Sequence, residues 1–250
     1  MLGSHSMPHL SVLDSPVKNA KMWHCIVSEF SRRNLTNEDD IFPAIAAIAR
    51  KYDENDTYLA GLWQSNLAAD LLWFVQRAET NTKRQRPAKY RAPSWSWAAL
   101  KEPIGWRDHS EIDEMFEPDY DFKYLSYTPQ LNSEEDPYSS LQKANLYVRG
   151  RLVYFGSVQQ IKEEKSITIF FDEGIHAEYS EVYGLLLGWR EYNSGSYWCS
   201  SWRTNVPCGL LLSEDLIDGK AVHHRVGIFL DSFLEKKGFE SIIPIDLDLL

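Results

Sequence analysis

The sequence has few cysteines, no long apolar run and no excess of positive charge. Its three cysteines, Cys25, Cys199 and Cys208, are odd in number, and none belongs to a Cys-x-x-Cys pair. This pattern argues against a disulfide framework or a zinc ribbon and is typical of a reducing compartment, so we expect a cytoplasmic protein. No window reaches the roughly 18 apolar residues that a membrane-spanning helix needs, and the N-terminus lacks the pattern of a signal peptide.

Positive charge is also scarce, since the formal net charge is −10 at pH 7. Binding to nucleic acid requires clustered lysine and arginine, and anionic membrane surfaces also attract basic segments. We therefore expect neither as a partner. Two local charge runs stand out: residues 77–91 are mostly basic and residues 108–121 are acidic. Such runs usually form solvated loops.

The common catalytic motifs are absent as well. The sequence contains no Gly-x-Ser-x-Gly, no phosphate-binding P-loop, no dinucleotide-binding glycine pattern and no His-Glu-x-x-His. His223 and His224 are adjacent, but neighbouring side chains on a strand point to opposite faces and do not readily chelate one metal ion. We therefore predict no metal and no cofactor.

What the sequence has in abundance is aromatic residues, which make up 13% of the chain and include nine tryptophans. Large aromatics usually form a bulky core and sometimes line an apolar cavity. The most distinctive stretch is Tyr90–Trp97, in which Pro93 fixes its own φ and biases Ala92 toward an extended conformation. The spacing of Trp95 and Trp97 predicts a strand that carries both indoles on one face.

Helical periodicity dominates the first third of the chain. The pattern predicts one helix from Ser15 or Pro16 to Ser31 and a second from Glu38 to Lys51. Residues 62–76 are apolar around most of a helical circumference, which predicts a third, deeply buried helix that packs against the two tryptophans.

From Leu146 onward, short β-branched and aromatic runs alternate with turn residues and predict strands. Ile242–Ile245 is expected to be an edge strand, because Pro244 cannot donate to a neighbour. The sequence therefore predicts an α+β fold, with a helical layer on a mostly antiparallel sheet or sandwich. We expect a helical subdomain at 15–90 and a β-rich subdomain at 91–250 in one compact unit. Residues 1–14, which include a cloning-type segment at 3–7, are expected to lie outside the fold as a disordered tag.

Asp70 is the polar residue with the most ambiguous role. It lies in the apolar third segment, so burial without a partner would cost several kcal/mol. One interpretation is a structural carboxylate, paired with a cation or with backbone N–H groups. The other is an acid or base in a cleft, with a shifted pKa.

Several of these segments resemble the region that follows the HET domain in fungal heterokaryon-incompatibility-type proteins. The matching segments are Trp23–Thr36, Asp40–Ala49, Tyr58–Trp63, Leu71–Trp73, Arg91–Trp97, Gly209–Leu212 and Arg225–Phe229. The Pro-Ser-Trp-Ser-Trp block at 93–97 is the most specific. The HET domain itself, the family's death-signalling effector, has no counterpart here, so none of its functional residues carries over. The resemblance implies a recognition or regulatory module that binds a protein partner.

An alternative function follows from the aromatic content. A free-standing protein of this kind could hold an apolar small molecule, such as a terpenoid- or polyketide-like compound, in an aromatic-lined pocket and catalyse a cyclisation or isomerisation by shape alone. The polar residues expected to orient the ligand are Asp70, which would be the catalytic residue, with Tyr90, Arg91 and Ser94. The indoles expected to line the pocket are those of Trp63, Trp73, Trp95, Trp97 and Trp106.

Overall fold

A computed structural model describes residues 16–33, 35–52, 56–76, 86–87, 89–106, 116–133, 136–163, 167–173, 179–193, 203–231 and 239–250. Over these residues the chain forms helices and a large, mostly antiparallel sheet, together with two small sheets. The predicted α+β class is confirmed.

The first two predicted helices are confirmed. Helix α1 spans Pro16–Ser31, and α2 spans Ile41–Tyr52 after a 3₁₀ turn at Glu38–Asp40. The side chain of Asn37 accepts a hydrogen bond from the backbone N–H of Asp39 and so caps this start. The inner faces of both helices, including Trp23 and Ile45, are fully buried.

The predicted third helix is wrong. Its residues form β2 (Leu62–Trp63), which pairs with β1 (Tyr58–Leu59), then the one-turn helix α3 (Leu67–Asp70) and the short strand β3 (Phe74–Val75). The turn that precedes this segment, at Ala60 and Gly61, has φ angles of 46° and 95°. Two positive φ angles in a row define a tight hairpin turn, which brings Leu62 and Trp63 back alongside β1 as a strand. The segment is apolar all round because it is buried between other elements.

The predicted Trp95–Trp97 strand is also wrong. The backbone N–H of Ser96 donates to the carbonyl of Pro93 in a turn, and the Ser96 hydroxyl caps a 3₁₀ helix at Trp97–Ala99. The two indoles therefore point in different directions. Trp95 donates to the carbonyl of Leu249 on the sheet, whereas Trp97 donates to the carbonyl of Gly61 in the hairpin turn.

The remaining strands begin with β4, which pairs with β3, and continue into the large sheet. Their bounds are β4 Ile104–Gly105, β5 Phe116–Pro118, β6 Lys123–Leu131, β7 Leu141–Gly150, β8 Leu152–Gly156, β9 Ile167–Phe171, β10 Val182–Asn193, β11 Arg203–Ile217, β12 Lys220–Asp231 and β13 Ile245–Leu249. The order in the sheet is β5-β10-β11-β12-β13-β7-β6, with β8 also on β10 and β9 also on β12. A fourth helix, α4 (Val158–Glu163), follows β8.

The last strand is not at an edge, contrary to the prediction from Pro244. Strand β13 begins one residue after this proline and lies between β12, with which it is parallel, and β7, with which it is antiparallel. Because Pro244 precedes the first paired residue, its missing N–H costs the sheet nothing.

The sheet divides along one edge of β12. This edge pairs with β13 at His223 and with β9 from Gly227 to Asp231. Residues 224–226 lie between the two partners, and we call this place the sheet split. One hydrophobic cluster runs from Trp23 on α1 to Leu249 on β13, so the helical layer and this part of the sheet share a core.

Candidate functional site

The predicted tryptophans lie in the core. Trp63, Trp73, Trp95, Trp97 and Trp106 are all buried. Four of the five indole N–H groups donate to main-chain carbonyls: Trp73 to Trp95 at 2.9 Å, Trp95 to Leu249 at 3.3 Å, Trp97 to Gly61 at 2.9 Å and Trp106 to Asp70 at 3.0 Å. These indoles therefore join segments that are distant in sequence. Their N–H groups satisfy backbone acceptors that burial would otherwise leave without a partner.

Asp70 is fully buried and has three hydrogen-bond donors. Its Oδ1 accepts from His24 Nε2 at 2.8 Å and from Asn66 Nδ2 at 2.7 Å, and its Oδ2 accepts from the backbone N–H of Trp63 at 2.8 Å. The His24 ring in turn stacks on Trp106 at 4.1 Å. The prediction that Asp70 is buried and paired is confirmed. Its predicted catalytic role stays a prediction, and Asp70 lines neither of the two cavities described below.

The larger cavity, about 640 Å³ in volume, lies against the sheet split. It is bounded by the segment before Trp95, by β7, by β11 and by residues 224–226 of β12. The described residues that line it are Arg86, Pro87, Lys89, Tyr90, Arg91, Ala92, Ser94, Ala99, Gln142, Lys143, Ala144, Glu173, Tyr179, Ser213, Asp215, His224, Arg225, Val226 and Leu250.

Three of the predicted site residues meet at this cavity: Tyr90, Arg91 and Ser94. The five predicted indoles are not among its described lining residues. Trp97 instead lines a second cavity of about 280 Å³, which it shares with Arg91 and residues of α1 and α2. Tyr90 and Ser94 therefore line a different cavity from Trp97, whereas Arg91 lines both.

Ser94 holds the wall of the larger cavity in place. Its hydroxyl oxygen accepts a hydrogen bond from the backbone N–H of Arg225 at 2.9 Å, and its own backbone N–H donates to the carbonyl of Leu250 at 3.0 Å. The guanidinium of Arg86 donates to the carbonyl of Arg225 at 3.0 Å. The segment containing Arg86 and Ser94 thus satisfies backbone groups that the sheet split leaves without a strand partner.

Arg91 has a structural task at the same wall. Its guanidinium donates to the carbonyls of Ala98 at 2.7 Å and Leu100 at 2.5 Å, at the end of the 3₁₀ helix. Burial lowers the pKa of Arg91. These carbonyls already occupy part of its donor capacity.

Arg225 was missed by the sequence analysis, although it is the most deeply buried cation among the described residues. Its guanidinium donates to both carboxylate oxygens of Asp172 at 3.0 and 3.2 Å, to the carbonyl of Leu71 at 2.6 Å and to the carbonyl of Trp73 at 2.5 Å. It also lies 3.2 Å from the centre of the Trp73 ring. Burial lowers the pKa of Arg225, while Asp172 opposes this shift. The signal in the sequence was a charged residue at the start of the apolar run 225–230.

The mouth of the larger cavity carries positive charge. Lys89 and Lys143 are exposed, and neither forms a hydrogen bond or ion pair with another described residue. Both acidic side chains on the described lining have a basic neighbour: Glu173 lies 3.1 Å from Arg86, and Asp215 lies 3.3 Å from His224. Burial raises the pKa of Tyr90 and that of Tyr179 to about 12, so both phenols are neutral at physiological pH.

Within the described ranges, no group of three or more His, Cys, Asp or Glu side chains is arranged to hold a metal ion, and no helix is long and apolar enough to cross a membrane. Comparison with protein-family models, curated proteins and solved structures found no match for this chain.

Proposed function

We propose that this protein is a non-enzymatic recognition module, of the kind that follows the HET domain in fungal heterokaryon-incompatibility-type proteins. The observation that carries this proposal is the structural use of Arg91–Trp97, the segment on which the resemblance depends. Ser94, Trp95 and Trp97 each bond to a distant backbone group, and Arg91 bonds to the carbonyls of the 3₁₀ helix. These hydrogen bonds give the four residues a structural role, which supports recognition over catalysis.

The larger cavity is the proposed recognition site. Its volume lies within the range of about 300–1,000 Å³ that is usual for small-molecule sites. Its walls come from segments far apart in sequence, and Ser94 and Arg86 hold them together. A ligand in this cavity would contact both the segment that precedes Trp95 and the sheet.

The alternative is a cofactor-independent cyclase or isomerase that acts on an apolar substrate. One observation favours it: Tyr90, Arg91 and Ser94, three of the polar residues expected to orient such a substrate, do line a cavity of suitable volume. The location of Trp63, Trp73, Trp95 and Trp106 in the core favours recognition, because these indoles offer no surface to a molecule in that cavity.

A retention experiment distinguishes the two functions. The purified protein is incubated with a mixture of small polar, aromatic and terpenoid-type compounds and separated from unbound material by gel filtration. The compounds released on denaturation are then identified by mass spectrometry. A recognition module should return bound compounds unchanged, at up to one molecule per chain. A cyclase should deplete one compound and yield a product of the same mass with a different retention time.

The control variants test whether retention occurs in the cavity. Ser213→Trp places a bulky side chain on the β11 wall of the cavity and should abolish retention. Ser126→Trp makes the same change on the exposed face of β6, away from the described lining, and should leave retention intact. Isomerised product from the wild-type protein, lost in Ser213→Trp, would replace the recognition proposal with the enzyme alternative.

A further inference from the structure

The larger cavity combines a positively charged mouth with an apolar wall. We propose that its ligand is a small organic anion, whose carboxylate or phosphate group lies between Lys89 and Lys143 and whose apolar body lies along the wall behind them. This inference rests on the proposed function, because it names the ligand class of the same cavity.

The two lysines flank one contact between neighbouring elements. Lys89 precedes Tyr90, and Lys143 precedes Ala144 on β7. The backbone of Ala144 opposes the rise in the pKa of Tyr90, so the two segments lie close together at this point. Both lysines line the cavity there. An anion between the two ammonium groups would be attracted to both of them.

The acids nearby do not cancel this charge. Arg86 pairs with Glu173 and Arg225 pairs with Asp172, so each of these acids already has a cation. Asp215 keeps its charge, because burial lowers the pKa of the neighbouring His224 and leaves that imidazole neutral at pH 7, but Asp215 is largely exposed and is one carboxylate against two lysines. Lys89 also contributes to the lowered pKa of Glu38, but the main cause of that shift is the hydrogen bond from Lys101. The mouth therefore keeps positive charge in a protein whose net charge is −10. A concave site of the opposite sign to the whole protein concentrates anions.

The wall behind the mouth suits an apolar body. Ala92, Ala99, Ala144 and Val226 contribute small apolar side chains to the lining, and the half-exposed ring of Tyr90 adds an aromatic face. Small side chains leave room for a flat ring, while the tyrosine supplies a surface on which such a ring can stack. The arrangement thus favours an aromatic or aliphatic carboxylate or phosphate over a fully hydrophilic anion.

Three probes with one ring system test the sign of the ligand charge. We would titrate the wild-type protein with 1-naphthoate, 1-naphthylmethylammonium and 1-naphthalenemethanol by isothermal calorimetry at low ionic strength. The account predicts that naphthoate binds about tenfold or more tightly than either of the others, because two lysines that pair with no other described residue favour an anion by about 1.4 kcal/mol or more. Raising the salt concentration should reduce this preference.

A double variant tests the assigned lysines. Lys89→Gln with Lys143→Gln should weaken naphthoate binding about tenfold and leave binding of the neutral alcohol unchanged. The matched control is Lys123→Gln with Lys220→Gln, which removes two exposed lysines that are not among the described lining residues. Thermal melts establish that both double variants are folded. The phosphate analogue 1-naphthyl phosphate, run in parallel, shows which anionic group the mouth prefers.

Each outcome separates this inference from the proposed function. If the ammonium probe binds as tightly as naphthoate, or if the Lys89/Lys143 variant binds naphthoate normally, the anion assignment is overturned while recognition at the cavity stands. If none of the probes binds the wild-type protein, the anion inference fails, and the retention experiment with Ser213→Trp then decides the proposed function on its own. A naphthoate preference lost only in the Lys89/Lys143 variant supports the inference.

Discussion

Arg225 joins the two layers of the molecule through a single side chain. From β12 it reaches the carbonyls of Leu71 and Trp73 in the helical layer and the carboxylate of Asp172 after β9. A buried ion pair of this kind adds little net stability by itself, because both charges lose their hydration. Removing one partner is expensive, since the other charge stays buried and loses its counter-charge.

We therefore predict that Arg225→Met lowers the free energy of unfolding by about 3–5 kcal/mol, because it removes the guanidinium that pairs with the buried carboxylate of Asp172. Urea denaturation followed by tryptophan fluorescence measures this loss. The matched control is Arg149→Met, which removes an arginine from an exposed pair with Asp246 and should have a much smaller effect. Equal losses in the two variants would show that Arg225 does not join the layers.

We predict that Asp70 stabilises the fold and takes no part in ligand binding. Asp70→Asn replaces one acceptor oxygen with an NH₂ group, which must then face one of the donors on His24, Asn66 or Trp63. We expect a loss of about 1–3 kcal/mol in the free energy of unfolding, with probe affinity unchanged once the variant is folded. Asp40→Asn, on an exposed 3₁₀ turn, is the control. A variant of normal stability that had lost an activity would instead support the catalytic role.

His223 gives the stability a pH dependence. Desolvation lowers the pKa of this buried imidazole below 6.5, although Glu214 opposes the shift. The unfolded chain therefore binds a proton more readily, so the contribution of His223 to stability is complete above about pH 6.5 and declines as the pH falls below it. We predict that the loss in melting temperature between pH 7.5 and 5.5 is smaller in His223→Gln than in the wild-type protein. If the melting temperatures of the two proteins fell equally between pH 7.5 and 5.5, His223 would not be a source of the pH dependence.

At the scale of elements, the β1–β2 hairpin holds the aromatic core together. The carbonyl of Gly61 in its turn accepts hydrogen bonds from both Trp23 and Trp97 at 2.9 Å. Gly61 has a φ of 95°, and a Cβ atom at this position would collide with the Trp97 indole nitrogen. A side chain is thus excluded both by the backbone conformation and by the space.

Two glycine substitutions separate these effects. Gly219 lies in the β11–β12 turn with a φ of 75°, and no atom lies near the position that a Cβ would take. Gly219→Ala should therefore lower the free energy of unfolding only through backbone strain, by about 1–2 kcal/mol. Gly61→Ala should lower the free energy of unfolding by clearly more, because the added Cβ also displaces the Trp97 indole. Chemical denaturation of both variants gives the comparison. A Gly61→Ala protein as stable as Gly219→Ala would show that the Trp97 contact is unimportant.

The elements that could be predicted from the sequence are those in which the spacing of apolar residues within the element itself identifies a helix or a strand. The apolar residues of α1 and α2 recur with helical spacing, and the later strands are β-branched runs between turns. The 62–76 segment failed because burial on all sides removes the polar face that distinguishes a helix from a hairpin. The Trp95–Trp97 segment failed because the Ser96 cap, a local hydrogen bond, overrides the two-residue period.

The candidate site was predictable only in part, for a similar reason. Tyr90, Arg91 and Ser94 lie in the distinctive segment and were identified from it. Lys143 and Arg225 come from β7 and β12, and only the sheet order brings them to the same cavity. A site assembled across a split in the sheet leaves no spacing pattern in the sequence.

At the scale of the whole molecule, the shared core and the larger cavity both result from the way the helical layer packs on the sheet split. The helical layer and the 89–99 segment cover the place where β13 and β9 leave the same edge of β12. Trp23, Trp73, Trp95 and Trp97 are among the aromatic side chains that fill the shared core beneath. The larger cavity lies beside the sheet split. At this place β12 has no strand partner among the described residues on one edge, and small side chains and hydrogen bonds to its backbone take the partner's position. We infer that the ligand site is this cavity and that the tryptophan cluster is structural.

One spectrum tests this claim directly, because backbone amides and indole N–H groups appear together in a ¹H–¹⁵N correlation spectrum. We would titrate the ¹⁵N-labelled protein with 1-naphthoate and follow both sets of signals. The account predicts saturable shifts for the amides of Tyr90, Lys143 and Arg225, with the indole signals of Trp63 and Trp106 unchanged. Shifts of those indole signals, with the cavity amides unmoved, would place the ligand in the tryptophan cluster and contradict the account.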